Sequence, residues 1–245
     1  MGTVVAALRS ILFFALFYPG TLYYVMRVII GAPRGDAVVQ RHVHAWSAYH
    51  HWLVEHVLGI RFVMEGAIPD GPVLIAIKHQ SMAEAVETLR LADTPVVVMK
   101  RELTTMPLFG WVTRRYGVIG VDREAGPAAL RVMMGEAKKA IAAGRPVIIF
   151  PEGTRVPVGQ KPALKPGFAG LYRVLGLPVV PVALNSGVLW SRSLAKRPGV
   201  IRLVVGETIP AGLKREAIEA RVHAAINVLE TGPLPPEREG STQRS

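Results

Sequence analysis

Val147-Ile148-Ile149-Phe150-Pro151-Glu152-Gly153-Thr154-Arg155 is an unbroken apolar run, β-branched at its first three positions, that stops at a proline and a polar cluster. A short continuous run bounded by turn residues reads as a strand covered on both faces. Further runs share its character: Arg61–Glu65, Val73–Lys78, Val96–Met99, Val118–Val121, Val179–Leu184 and Ile201–Val205. Helical pattern fills much of what lies between, notably Ala83–Ala92, Glu124–Ala143 and Leu213–Leu229. The alternation predicts an α/β fold, with a largely parallel or mixed sheet of about seven strands flanked by helices. There is no internal repeat.

Polar residues gather just beyond four of these strands. His79 follows Val73–Lys78, Asp122-Arg123 follows Val118–Val121, Glu152 to Arg155 follow Val147–Phe150, and Asn185-Ser186 follow Val179–Leu184. If those strands run parallel, all four clusters share the carboxyl edge of the sheet, where ligands bind in open α/β folds. Within Lys78-His79-Gln80-Ser81-Met82-Ala83-Glu84, His79 and Glu84 would lie about 140° apart on a helix, so His79 must precede the helix and Glu84 open it. Ser81 to Glu84 also fits a capping box, in which Glu84 folds back to the Ser81 amide. Both readings bring the carboxylate toward His79. Arg123 and Arg155 each have a plain alternative as surface ion pairs, Arg123 with Asp122 or Glu124.

Composition narrows the class. The chain has 245 residues, half of them apolar, and a net charge of +11. Its mean hydropathy is +0.31. So basic a surface needs an anionic partner, and the apolar excess favours anionic membrane lipid over nucleic acid, for which no zinc-finger spacing or RNA-binding motif is present. The absence of cysteine removes disulfides and a thiol nucleophile. No G-x-S-x-G elbow, P-loop or G-x-G-x-x-G occurs, which argues against serine hydrolases and nucleotide enzymes.

The amino terminus is apolar from Val4 to Ile30. Its uncharged stretch Ser10–Met26 reaches only about 25 Å as a straight helix, short of a ~30 Å hydrocarbon core. Pro19-Gly20 in the middle predicts two short helices with a bend. The expected organisation is a membrane-embedded helical hairpin over residues 1–35, entering one leaflet, with a single tilted span as the alternative. An α/β domain over 36–231 and a disordered tail over 232–245 would follow. Arg34 and Arg41 would hold the domain on the cytoplasmic side of the inner (plasma) membrane. Asp36–Leu58 reads as a helix with interfacial Trp46, Tyr49 and Trp52. His44 and His51 share a face of it, but nothing completes a metal-ligand spacing, and no metal is expected.

His79 with Glu84, followed downstream by Phe150-Pro151-Glu152-Gly153-Thr154-Arg155, resembles the glycerolipid acyltransferase family. Gly117 to Arg123, Lys100-Arg101-Glu102-Leu103 with Pro107-Leu108-Phe109-Gly110-Trp111, Lys165-Pro166-Gly167 and Val180-Pro181-Val182 extend the likeness over Gly66–Gly206. The family carries aspartate where Glu84 stands and more often asparagine where Lys78 stands. The resemblance implies transfer of a fatty acyl group from acyl-CoA or acyl carrier protein to the free hydroxyl of lysophosphatidic acid, giving phosphatidic acid. It makes His79 the base and Glu84 its partner, and assigns Arg123, Glu152, Gly153, Thr154 and Arg155, with Lys100 and Lys165, to the acceptor. No cofactor is implied beyond the acyl donor. Histidine suits the task because its ordinary pKa lies near neutrality. With neither serine elbow nor cysteine, direct attack without an acyl-enzyme is expected. Two alternatives remain: a lyso-ornithine lipid or another lyso-lipid as acceptor, or a non-catalytic membrane lipid-binding protein.

Overall fold

The computed structural model describes residues 2–122 and 126–230. Arg123 and the predicted tail 232–245 lie outside them. Seven strands form one sheet: β1 Ile60–Glu65, β2 Leu74–Ile77, β3 Val96–Lys100, β4 Ile119–Val121, β5 Val147–Ile149, β6 Val179–Leu184 and β7 Gly199–Val205. Their order across the sheet is β1-β7-β6-β2-β5-β3-β4. From β6 to β4 all neighbours are parallel. β7 pairs antiparallel with β6, and β1 pairs parallel with β7, so these two run the other way. The sheet is mixed, as the alternation allowed. The four strands that carry polar clusters at their ends all point in one direction.

The continuous apolar runs are explained by burial on both faces. In β2, Ile75 and Ile77 join one core with Val97, Ile148, Val180 and Val182, while Leu74 and Ala76 join a second with Val96, Val147 and Val179. Helices α1 Gly2–Gly31, α2 Asp36–Leu53 and α3 Ala83–Glu87 cover the first face. α6 Gly126–Ala142, α7 Pro166–Leu175 and α9 Arg215–Ile226 cover the second. Two short helices, α4 Arg101–Thr105 and α5 Phe109–Tyr116, connect β3 to β4, and α8 Ser186–Leu189 follows β6.

The predicted break at Pro19-Gly20 does not occur. α1 runs unbroken through Pro19, and the turn comes at Ala32–Arg34 instead. Proline frees carbonyls in the preceding turn, which normally bends a helix. Here the Tyr49 hydroxyl of α2 donates to the Leu16 carbonyl at 2.9 Å and braces that turn from outside. Gly20 provides the room, because a Cβ there would sit 2.2 Å from the Tyr49 ring. The pair is a notch for a tyrosine. Trp46 anchors the same crossing through its indole N–H to Thr21 Oγ1 at 3.0 Å.

The first thirty-odd residues are also a wall of the core. Ala6, Ser10, Phe13, Phe17, Val25 and Val28 are buried at helical spacing, and Phe13, Phe17, Val25 and Val28 share a core with Ile75 and Val180. The opposite face leaves Val4, Leu8, Ile11, Leu12, Leu22, Tyr23 and Ile30 exposed. The apolar segment Thr3–Arg34 is long enough to cross a membrane.

Candidate active site

His79 leaves the end of β2 before α3 begins, so its ring and the Glu84 carboxylate meet across the loop. Nδ1 lies 3.0 Å from Glu84 Oε1. The same oxygen accepts the amides of Gln80, at 2.6 Å, and of Ser81. Oε2 accepts the hydroxyls of Ser81 and of Ser186, the latter at 2.7 Å. Glu84 thus folds back to the Ser81 amide, which is half of the expected capping box. The Ser81 hydroxyl accepts from Ala83 N at 3.1 Å instead of Glu84 N, and the helix is capped at Met82 with no side-chain bond. Burial alone would raise the Glu84 carboxyl. The hydrogen bond and charge of His79, with the Ser81 donors, outweigh it and hold the group below the ordinary carboxylate range. An ionised carboxylate only accepts, so Nδ1 carries a proton toward it, and in the neutral imidazole Nε2 is the nitrogen that keeps the lone pair. Phe150 stacks on the imidazole with centroids 4.1 Å apart, which limits its rotation. Among the described residues Nε2 has no partner.

Glu152 turns inward. It is 2% exposed, and its oxygens accept from Lys78 Nζ at 2.6 Å and from the His79 amide at 2.9 Å. Burial pushes its carboxyl up, and the Lys78 ammonium and His79 amide offset this only in part. Lys78 is fully buried and also donates to the Gln160 carbonyl at 2.9 Å and to Asn227 Oδ1 at 2.8 Å. A lysine buried just past the end of a strand requires such acceptors. Lys78 and Glu152 therefore hold the His79 strand end against the loop after β5. Val156 N adds a bond to the His79 carbonyl at 2.7 Å.

The remaining sequence candidates spread along the same edge. Gly153 has φ +71°, and a Cβ there would meet Lys165 Cγ at 2.9 Å, so the turn brings Lys165 beside the Glu152 loop. Thr154, Arg155 and Lys165 are exposed, and Arg155 forms no ion pair with a described residue. Lys100, at the end of β3, pairs with Glu102 at 2.7 Å, and Arg101 pairs with Asp122 at 3.6 Å. With strands about 4.8 Å apart, β4 stands roughly 14 Å from β2, beyond β5 and β3. Asn185 faces away and accepts the Arg202 amide at 2.8 Å. His44 and His51 do not converge: one meets Tyr116 and the other Glu87.

An apolar cavity of about 390 Å³ opens beside this edge, between α1, α2, α3 and the β3–α5 segment. Tyr24, Trp46, Val97 and Phe109 line it, and Met82 of the His79–Glu84 loop forms part of the wall. A shallower depression of about 500 Å³, at His44, Arg90 and Asp93, lies toward the opposite edge of the sheet, since Asp93 precedes β3.

A parallel strand edge carrying a histidine–carboxylate pair beside an apolar cavity defines the class, and the chain belongs to the acyltransferase family, whose model matches residues 59–185. It is 35% identical over 218 residues to the 1-acyl-sn-glycerol-3-phosphate acyltransferase of Pseudomonas aeruginosa, spanning 85% of this chain and 83% of that one. The human 1-acyl-sn-glycerol-3-phosphate acyltransferase alpha is 29% identical over 176 residues, spanning 69% of this chain and 61% of the human protein. The fold is similar to the crystal structure of the 1-acyl-sn-glycerophosphate acyltransferase of Thermotoga maritima, with a TM-score of 0.69 at 21% identity, covering 95% of this chain and 98% of that one.

Proposed function

We propose that the protein transfers a fatty acyl group from a thioester donor, acyl-CoA or acyl carrier protein, to the free hydroxyl of 1-acyl-sn-glycerol-3-phosphate. The observation that carries this reading is the His79–Glu84 pair at 3.0 Å, set at a parallel strand edge beside an apolar cavity. The name and identity of the Pseudomonas relative support the choice of acceptor.

His79 Nε2 takes the acceptor proton as the hydroxyl oxygen attacks the thioester carbonyl carbon. Glu84 orients the ring and stabilises the imidazolium. Collapse of the tetrahedral intermediate breaks the C–S bond, and the departing sulfur takes the proton back from Nε2. No acyl-enzyme and no metal are needed. Arg155 and Lys165, with Arg123 next to Asp122 in the chain, hold the acceptor phosphate. Glu152 acts through the His79 backbone. The apolar cavity takes an acyl chain, and the exposed face of α1 rests in one leaflet of the inner membrane with the catalytic edge on the cytoplasmic side. Support for this anchoring is the seating of α1 on the domain from Ala6 to Val28, which leaves only its other face for lipid.

The test is transfer of a labelled acyl group from acyl-CoA, and separately from acyl carrier protein, to lysophosphatidic acid and to lyso-ornithine lipid in detergent. Wild type and His79→Ala are compared. Phosphatidic acid made by wild type and lost in the variant is the expected result. Product from the lyso-ornithine acceptor alone changes the substrate. Transfer that survives in His79→Ala, or that wild type never makes, sinks the catalytic reading.

A further inference from the structure

The two residues that flank His79 are both held by the segment that follows α9. Lys78 Nζ donates to Asn227 Oδ1 at 2.8 Å and lies 3.9 Å from Glu230 Oε1, beyond hydrogen-bond reach. Gln80 Nε2 donates to Glu230 Oε1, and Glu230 Oε2 accepts the Gly159 amide. These groups are buried: Lys78 is 0%, Asn227 6%, Glu230 5% and Gln80 9% exposed. A buried carboxylate is costly unless its oxygens are occupied, so this one is built into place. The segment is itself braced. Asn227 Nδ2 donates to the His223 carbonyl at 2.7 Å, and Glu230 N donates to the Asn227 carbonyl at 3.0 Å.

We propose that Glu230 is a positioning residue for His79, acting through Gln80. Both polar atoms of the Gln80 carboxamide are held, since its Oε1 also accepts the Gly187 amide at 2.9 Å. Its own amide is one of the donors that hold Glu84 Oε1. The Glu230 carboxylate therefore sets Gln80, Gln80 sets Glu84, and Glu84 sets the imidazole. Asn227 performs the matching task on the other side, where Lys78 holds Glu152 and Glu152 holds the His79 amide. Residues Asn227 and Glu230 thus close a frame around the base from the side of α9. This inference rests on His79 being the base.

Glu230→Ala is expected to lower kcat by about tenfold or more per folded molecule, with KM for donor and acceptor within about twofold, because small displacements of a catalytic group act on the chemical step. The exchange Gln80→Glu with Glu230→Gln supplies a rescue. In it the carboxylate at position 80 accepts from Gly187 N and from the side-chain amide at position 230. The oxygen of that amide accepts in turn from Gly159 N. Each hydrogen bond is thereby restored, with donor and acceptor reversed between the two side chains. The exchanged protein should recover most of the kcat that Glu230→Gln alone loses. Thermal melts fix the folded fraction, and the Glu230→Gln and exchange pair decides the matter if Glu230→Ala does not fold. Unchanged kcat in the single variants, a change confined to KM, or an exchange no better than Glu230→Gln overturns the proposal. His79→Ala is assayed alongside. If it abolishes transfer while the Glu230 variants do not lower kcat, positioning fails and the catalytic reading stands. If it retains transfer, both fall.

Discussion

Ser186 donates its hydroxyl to Glu84 Oε2 at 2.7 Å, although 102 positions separate the two in the chain. They meet because β6 and β2 are sheet neighbours and run parallel, so the residues after both strands emerge at one edge. Ser186 is fully buried and caps the oxygen of Glu84 that does not face His79. Ser186→Ala should destabilise the fold by about 1.5–3 kcal/mol, as expected for a buried hydrogen bond to a charged group. Urea titration would read this as a lower midpoint. kcat should also fall, with the KM of the phospholipid acceptor unchanged.

Acid should act on the same carboxylate with a definite sign. Glu84 and Glu87 are both held below the ordinary carboxylate range, Glu87 because the hydrogen bonds and charges of His50 and His51 outweigh its burial. A folded value below the unfolded one stabilises the protein above a pH of about 4.3 and is lost as pH falls through the folded value. Glu87→Gln should therefore be less stable than wild type at neutral pH and lose less stability on acidification. Converging acid-denaturation curves would bear this out, and parallel curves would refute it.

Lys78 and Glu152 form a buried ion pair at 2.6 Å. Removing one partner leaves the other charge without compensation, which typically costs about 3–5 kcal/mol. Lys78→Met should produce a loss of that size in chemical denaturation. A loss under about 1 kcal/mol, of the order seen for exposed pairs, would show that water reaches Glu152.

The apolar cavity predicts a change in donor preference rather than in rate alone. Ala85 lines it from α3. Ala85→Phe fills part of the space and should reduce use of palmitoyl and stearoyl donors far more than octanoyl. Competition between long and short acyl-CoA donors in one assay measures the ratio directly. An unaltered ratio would place the acyl chain elsewhere.

Much of this architecture was legible in the residues. β2, β5 and β6 read as strands because buried parallel strands are apolar at every position, and their polar followers marked the working edge. The reversed direction of β1 and β7 was not legible, since β-branching reports burial and says nothing of polarity. α7 announces itself only through Pro166, a recognisable helix start at its first turn. Pro19 misled for a physical reason: the turn before it is braced from outside, where Tyr49, far along the chain, donates to the Leu16 carbonyl. Glu152 was expected at the acceptor, and its inward turn depends on Lys78, whose burial follows from the sheet rather than from its neighbours in sequence. Gln80 and Glu230 lie 150 positions apart, and no local pattern announces such a pair.

The notch at Gly20 has a mechanical consequence. Tyr49 meets α1 where Gly20 leaves room for its ring, so a roll that brought a Cβ-bearing neighbour to that place would meet the ring and break the bond to the Leu16 carbonyl. In this setting Phe17, Thr21, Tyr24 and Val28 face the cavity, while Leu8, Leu12, Leu22 and Tyr23 face outward. On the membrane reading proposed above, the angle between bilayer plane and cavity is thus settled inside the protein before it meets a lipid. Gly20→Ala would unsettle that heading while leaving every group at the strand edge chemically intact.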